Sequence, residues 1–153
     1  MKRRNFLKGT VASGMLGVAA SAGLLTPRII LAAWPESAFS ATKMDDALKA
    51  LHGSASLSES GDINIKAPDI AENGAVVPIT VTTSMPAESI SIYVKENPSP
   101  LACTYQLGDT TEGDVSTRIK MGKTSDVIAV VKSGGKLHSA TKVVKVTIGG
   151  CGG

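Results

Sequence analysis

Two thiols and two imidazoles are the soft nucleophiles of this chain: Cys103, Cys151, His52 and His138. Cys151 stands apart by its neighbours. The sequence runs Val146-Thr147-Ile148-Gly149-Gly150-Cys151-Gly152-Gly153, so four glycines enclose one thiol, and strand-like alternation stops at Ile148. Glycine costs conformational entropy in any ordered element, so such a run does not serve rigidity and is expected to form a flexible arm. Three residues past Ile148, the thiol reaches about 10 Å on an extended chain, plus its side chain. A tip this thin can enter a narrow active site on another protein. An ordinary cysteine has a pKa of about 8.5, so only a few per cent is thiolate at neutral pH. No cation lies among residues 147–153, and the carboxylate of Gly153 follows two residues later, which disfavours the thiolate further. Cys151 is therefore expected to be activated inside a partner's pocket, where positive charge lowers its pKa. That chemistry belongs to a carrier, not an enzyme.

The other candidates are weaker. Cys103, in Leu101-Ala102-Cys103-Thr104-Tyr105, reads as a small strand residue packing as a hydrophobe. The sharper alternative is a disulfide with Cys151 that stores the arm. Neither cysteine has a second Cys or His at zinc-site spacing. His52 and His138 read as surface residues. Of the five methionines, Met1 and Met15 fall in the N-terminal segment, and no Met or His pair has the spacing of a copper site. The sequence carries no G-x-S-x-G elbow, no glycine-rich phosphate loop followed by Lys, and no H-E-x-x-H. No catalytic residue, metal or cofactor is expected in this chain.

What must position the thiol is a body of 153 residues less its leader. Lys2, Arg3 and Arg4 form a basic start, and Val11 to Leu25 is uncharged, interrupted by Gly14, Gly17 and Gly23, and short for a membrane span. Arg3-Arg4-Asn5-Phe6-Leu7-Lys8 resembles a twin-arginine export signal, a receptor-read address rather than an anchor. Cleavage is expected near Ala32-Ala33, which assigns 1–33 to the signal and places the mature protein in the periplasm. The formal charge of +3 belongs to that leader: five of the 16 basic residues precede Glu36, and the 11 others face 13 acidic residues. A mature domain near −2 has no electrostatic reason to bind phosphate backbones, and 3% aromatics offer no stacking surface for nucleic acid.

Residues 34–148 read as one all-β domain. A lead-in segment over 34–42 precedes a short helix, Met44 to Leu51, with Asp45 and Asp46 in its first turn and Gly53 to end it. Met44, Ala47, Leu48 and Leu51 share its apolar face. Seven β-rich runs follow: 63–65, 77–82, 90–94, 101–107, 115–121, 127–131 and 137–148. Seven strands punctuated by turn residues indicate an immunoglobulin-like antiparallel β-sandwich. Pro78 points to an edge strand or bulge. Ser133-Gly134-Gly135-Lys136 reads as the hairpin turn before the last strand. A domain of this size builds its core without disulfides, so Cys151 is not needed as a staple.

Gly149-Gly150-Cys151-Gly152-Gly153 resembles the tail of the SoxY family, the sulfur-carrier subunits of the periplasmic thiosulfate-oxidising (Sox) system. Trp34-Pro35-Glu36, Asn97-Pro98-Ser99-Pro100-Leu101 and Ser139-Ala140-Thr141-Lys142 look like that family too, so the resemblance spans the mature chain. It implies an immunoglobulin-like sandwich that pairs with a second small sandwich, SoxZ, as a heterodimer or heterotetramer. It also implies that Cys151 is the covalent attachment point and that Gly149, Gly150, Gly152 and Gly153 form a swinging arm over 149–153. A haem c cytochrome would couple thiosulfate to Cys151, a dimanganese hydrolase would release sulfate, and a sulfur dehydrogenase would oxidise what remains. Metals and haem would belong to those partners.

Three other readings stay open at the level of sequence. One is a carrier of the same architecture serving another periplasmic oxidation system. A second is a non-catalytic binding sandwich whose tail cysteine forms an intermolecular disulfide. The third, a ubiquitin-like sulfur donor ending in Gly-Gly, needs ATP, which the export signal argues against.

Overall fold

The computed structural model describes residues 35–108 and 110–147. The segment expected as an export signal over 1–33, the residue Ile148 and the segment expected as an arm over 149–153 lie outside the described residues. Among the described residues two short helices come first, α1 (Glu36–Ser40) and α2 (Met44–His52). Nine strands follow: β1 (Ser58–Glu59), β2 (Ile63–Lys66), β3 (Ile70–Ala71), β4 (Val77–Thr83), β5 (Ser89–Val94), β6 (Leu101–Gln106), β7 (Asp114–Ile119), β8 (Ser125–Ser133) and β9 (Lys136–Val146). No helix among the described residues is long and apolar enough to cross a membrane.

Alternating aliphatics explain how the strands assemble. Ile63 and Ile65 of β2, Val77, Ile79 and Val81 of β4, and Val115 and Ile119 of β7 all point one way. They meet Ile90, Ile92 and Val94 of β5, Val127, Ala129 and Val131 of β8, and Val144 of β9. Two sheets thus close on one aliphatic core, as period-2 patterning requires. The small sheet has the order β2-β4-β7, and the large one β1-β9-β8-β5-β6, with β3 also on β9.

All seven expected runs are strands, and the two additional ones, β1 and β3, are two-residue elements. These two also correct the antiparallel expectation, since both pair with β9 in parallel. Between them the chain leaves the large sheet, contributes β2 to the small one, and returns. Pro78 lies in β4, the middle strand of its sheet. The partner β2 reaches only as far as Thr80, so β4 is locally an edge where Pro78 withholds its N–H. The lead-in segment contains α1, held where Ser99 Oγ donates to the Phe39 carbonyl.

The outer face of the large sheet carries a second cluster. Tyr93, Leu101, Ile128, Val130 and Leu137 pack under Ala38 of α1 and Ala47 and Leu48 of α2. Covered on both faces, β5 is buried at all six positions. Helix α2 ends where expected: Gly53 takes the left-handed φ of 76° and donates its N–H to the Lys49 carbonyl. At the β8–β9 turn, Gly134 and Gly135 have φ of 55° and 74°, the pair of positive values that a two-residue type I′ hairpin demands.

Candidate functional site

Strand β9 delivers the chain to its last residues. It pairs with β8 without a break from Ser133↔Lys136 to Ser125↔Val144. On its other side it holds β1 at His138 and Ser139, and β3 at Lys145 and Val146. The run Val143-Val144-Lys145-Val146-Thr147 is rich in β-branched residues, which suit a pleated surface. Beyond β9 proper, the Thr147 N–H still donates to the Ala71 carbonyl at 3.1 Å. The Val146 N–H donates to Thr124 Oγ1 at 3.0 Å. The chain is therefore tied down through Thr147, four residues before Cys151. Cys151 itself, with Gly149, Gly150, Gly152 and Gly153, lies outside the described residues.

The ground around Thr147 is closely built. The Met121 N–H donates to the Gly74 carbonyl at 2.7 Å. A Cβ there would strike the Met121 carbonyl oxygen and sit 2.9 Å from Val146 Cγ1, so only glycine fits. Lys142 donates to the Ala67 carbonyl at 2.7 Å and meets the Asp69 carboxylate at 3.1 Å, pinning the returning 67–71 segment against β9. Asp69 is well exposed, so that ion pair guides more than it stabilises.

The structure places the other thiol in a different setting. Cys103 sits on β6 opposite Ile92, half-buried against the aliphatic core. Burial pushes its thiol up to about 11, against smaller opposing pulls from Tyr105 and the Ile92 backbone. Its thiolate fraction at pH 7 is on the order of one in ten thousand, which leaves it unreactive.

Both histidines differ from the surface expectation, being half-buried. His52, the last residue of α2, brings Nε2 within 3.4 Å of Ser91 Oγ, which lies 2.9 Å from Thr104 Oγ1. Desolvation, then the nearby Lys132 ammonium, lowers the His52 pKa. This hydroxyl–imidazole chain stitches α2 to β5 and β6. Sequence reasoning missed it because the three residues are far apart along the chain. Among the described residues no group of three or more His, Cys, Asp or Glu could hold a metal ion. A cleft of about 410 Å³ lies between Met85, Pro86, Leu107, Gly108 and Gly134, near the β8–β9 turn and so at the opposite end of β9 from Thr147.

Comparison with known structures fits this architecture. The chain is similar to the sulfur carrier protein SoxY from Chlorobium limicola f thiosulfatophilum, at 49% identity and a TM-score of 0.63, over 71% of this chain and 100% of that one. It is also similar to a superoxide reductase (neelaredoxin) from Ignicoccus hospitalis, at 21% identity and a TM-score of 0.49, over 56% of this chain and 80% of that one. No curated protein matches. An all-β sandwich aligned with a sulfur carrier over that protein's full length is a carrier-class subunit, not a catalyst. The model of the family described as "Sulfur oxidation protein SoxY" matches residues 48–151, and this chain belongs to that family.

Proposed function

We propose that the protein carries sulfur intermediates of thiosulfate oxidation as covalent adducts of Cys151, which it presents to partner enzymes. One observation carries the reading: the family match extends to Cys151, beyond the point where β9 holds the chain. Gly149, Gly150, Gly152 and Gly153 keep the neighbourhood of the thiol slender enough to enter a pocket. The half-buried Cys103, with its pKa pushed up to about 11, is a poor competitor for the same chemistry.

The Cys151 thiolate and the sulfane sulfur of thiosulfate join in an S–S bond, giving a cysteine S-thiosulfonate, and two electrons pass to a haem c cytochrome. Water then attacks the terminal sulfone on a dimanganese hydrolase, releasing sulfate and two protons and leaving a persulfide on Cys151. A sulfur dehydrogenase would then oxidise that outer sulfur with three waters, passing six electrons to a c-type cytochrome and releasing six protons, and hydrolysis of the resulting S-sulfonate would release a second sulfate and free the Cys151 thiol. The chain's own share is to hold the adduct, with haem and manganese supplied by the partners. A SoxZ-like small sandwich pairs with it, and export by the twin-arginine route brings the assembly to the periplasm. The test is Cys151→Ser in the reconstituted pathway. Turnover of thiosulfate is expected to vanish, and the thiosulfonate mass on the wild-type protein to be missing from the variant. Undiminished turnover by the variant would overturn the reading.

A further inference from the structure

The ladder between β8 and β9 stops short of the end of β9. Its last pair is Ser125↔Val144, whereas β9 continues to Val146. Backbone donors alternate in direction along this stretch, as strand geometry requires. Lys145 and Thr147 donate to the Asp69 and Ala71 carbonyls on one side, at 3.0 and 3.1 Å. The Val146 N–H points the other way, past the last backbone pair with β8. It donates to Thr124 Oγ1 at 3.0 Å, so one side chain takes the place of the missing rung.

An exposed hydroxyl holds a strand in place only if its own loop is held. The loop 120–124 is held from two flanks. Asn97, between β5 and β6, donates from Nδ2 to the Lys120 carbonyl at 2.7 Å and accepts the Gly122 N–H on Oδ1 at 3.1 Å. On the other flank the Met121 N–H reaches the Gly74 carbonyl, and the Met121 side chain is buried in the core.

We infer that Thr124, steadied by Asn97, is a positioning residue that fixes where the chain leaves the body, and with it the reach of Cys151. The inference rests on the carrier reading above and adds to it what sets the length of the tether. With Val146 and Thr147 tied, four residues separate the held chain from Cys151, a span of at most about 14 Å. With both released, Lys145 is the last held residue and the span grows to about 21 Å. The local concentration of the thiol at a pocket beside the body falls roughly as the −3/2 power of tether length, or about twofold here. Strand ends open through their outermost hydrogen bonds, so the bond from Val146 to Thr124 governs which length prevails.

The test uses the full chain in a Cys103→Ala background, with one nitroxide on Cys151 and a second on Lys136→Cys at the far end of β9. Pulsed dipolar spectroscopy then reads how far the terminal thiol ranges. Thr124→Val, which keeps the shape and loses the hydroxyl, is expected to widen the distance distribution and extend its far edge by about 7 Å. Thr124→Ser keeps the hydroxyl and is expected to match the wild type. Thermal midpoints are expected to stay within a few degrees, since Thr124 is exposed. With thiosulfate loaded on an unlabelled Cys151, Thr124→Val is expected to raise the KM of the sulfate-releasing hydrolase about twofold and leave kcat unchanged. Asn97→Ala is expected to shift both readouts in the same direction. An unchanged distribution in Thr124→Val would overturn the inference, as would equal widening in Thr124→Ser. A wider distribution with the wild-type KM would overturn the residue's part in delivery. Full turnover by Cys151→Ser is a separate result, and it removes the carrier reading beneath.

Discussion

The two faces of the large sheet are built from one set of strands and end in different states. Facing inward, Ile90, Ile92, Val94, Val127, Ala129 and Val131 meet the small sheet and are lost to solvent. Facing outward, the same strands are roofed by α1 and α2 at one end and left open towards Val143 at the other. The inner face is uniformly aliphatic. The outer one mixes Ser89, Ser91, Tyr93, Ile128, Val130 and Leu137, and it tolerates a buried phenol hydroxyl with no hydrogen-bond partner among the described residues. The inner face is thus buried along its length, whereas the outer one is buried only under the helices.

The largest test of this contrast is truncation. Ile92→Ala, at a fully buried inner position, is expected to cost about 2–5 kcal/mol. Val143→Ala on the outer face should stay within about 0.5 kcal/mol. Urea denaturation measures both, and equal losses would erase the distinction. A smaller effect of opposite sign is expected at Tyr93, whose burial raises its phenol pKa above the ordinary value. Tyr93→Phe removes the unpartnered hydroxyl and should raise stability by about 1 kcal/mol. A loss of that size instead would reveal a partner for the hydroxyl.

The smallest expected effect is the pH dependence of the helical roof. The His52 pKa is lowered in the fold, so the unfolded chain binds the proton more tightly. Its contribution to stability is full above the unfolded value of about 6.5 and is lost as pH falls through the folded one. Thermal midpoints measured between pH 7 and pH 5 should therefore fall more for the wild type than for His52→Gln. The reverse order would mean that the imidazole gains a proton on folding.

Much of the sandwich was legible because its signals are local. Ile63-Asn64-Ile65, Val77 to Thr82 and Ile90 to Val94 alternate, and Gly134-Gly135 specifies its own turn. The parallel pairings of β1 and β3 were not legible, since two-residue strands such as Ser58–Glu59 carry no periodicity to detect. Pro78 signalled an edge, and only the fold shows that this edge is local, set by how far β2 extends. The carrier assignment came from the residues around Cys151. The exposed aliphatics did not announce themselves: Val143-Val144 reads as plain strand, and only the fold separates the outward valine from the inward one.

Strand β9 also settles how the protein answers a pull on its end. Tension drawn from Thr147 runs along the strand, across hydrogen bonds that lie nearly at right angles to it towards β8. Those bonds to β8, and the shorter sets to β1 and β3, then share the load in shear instead of opening one by one as in a peeled hairpin. A pull on the end of β9 therefore loads the domain in shear instead of unravelling it strand by strand.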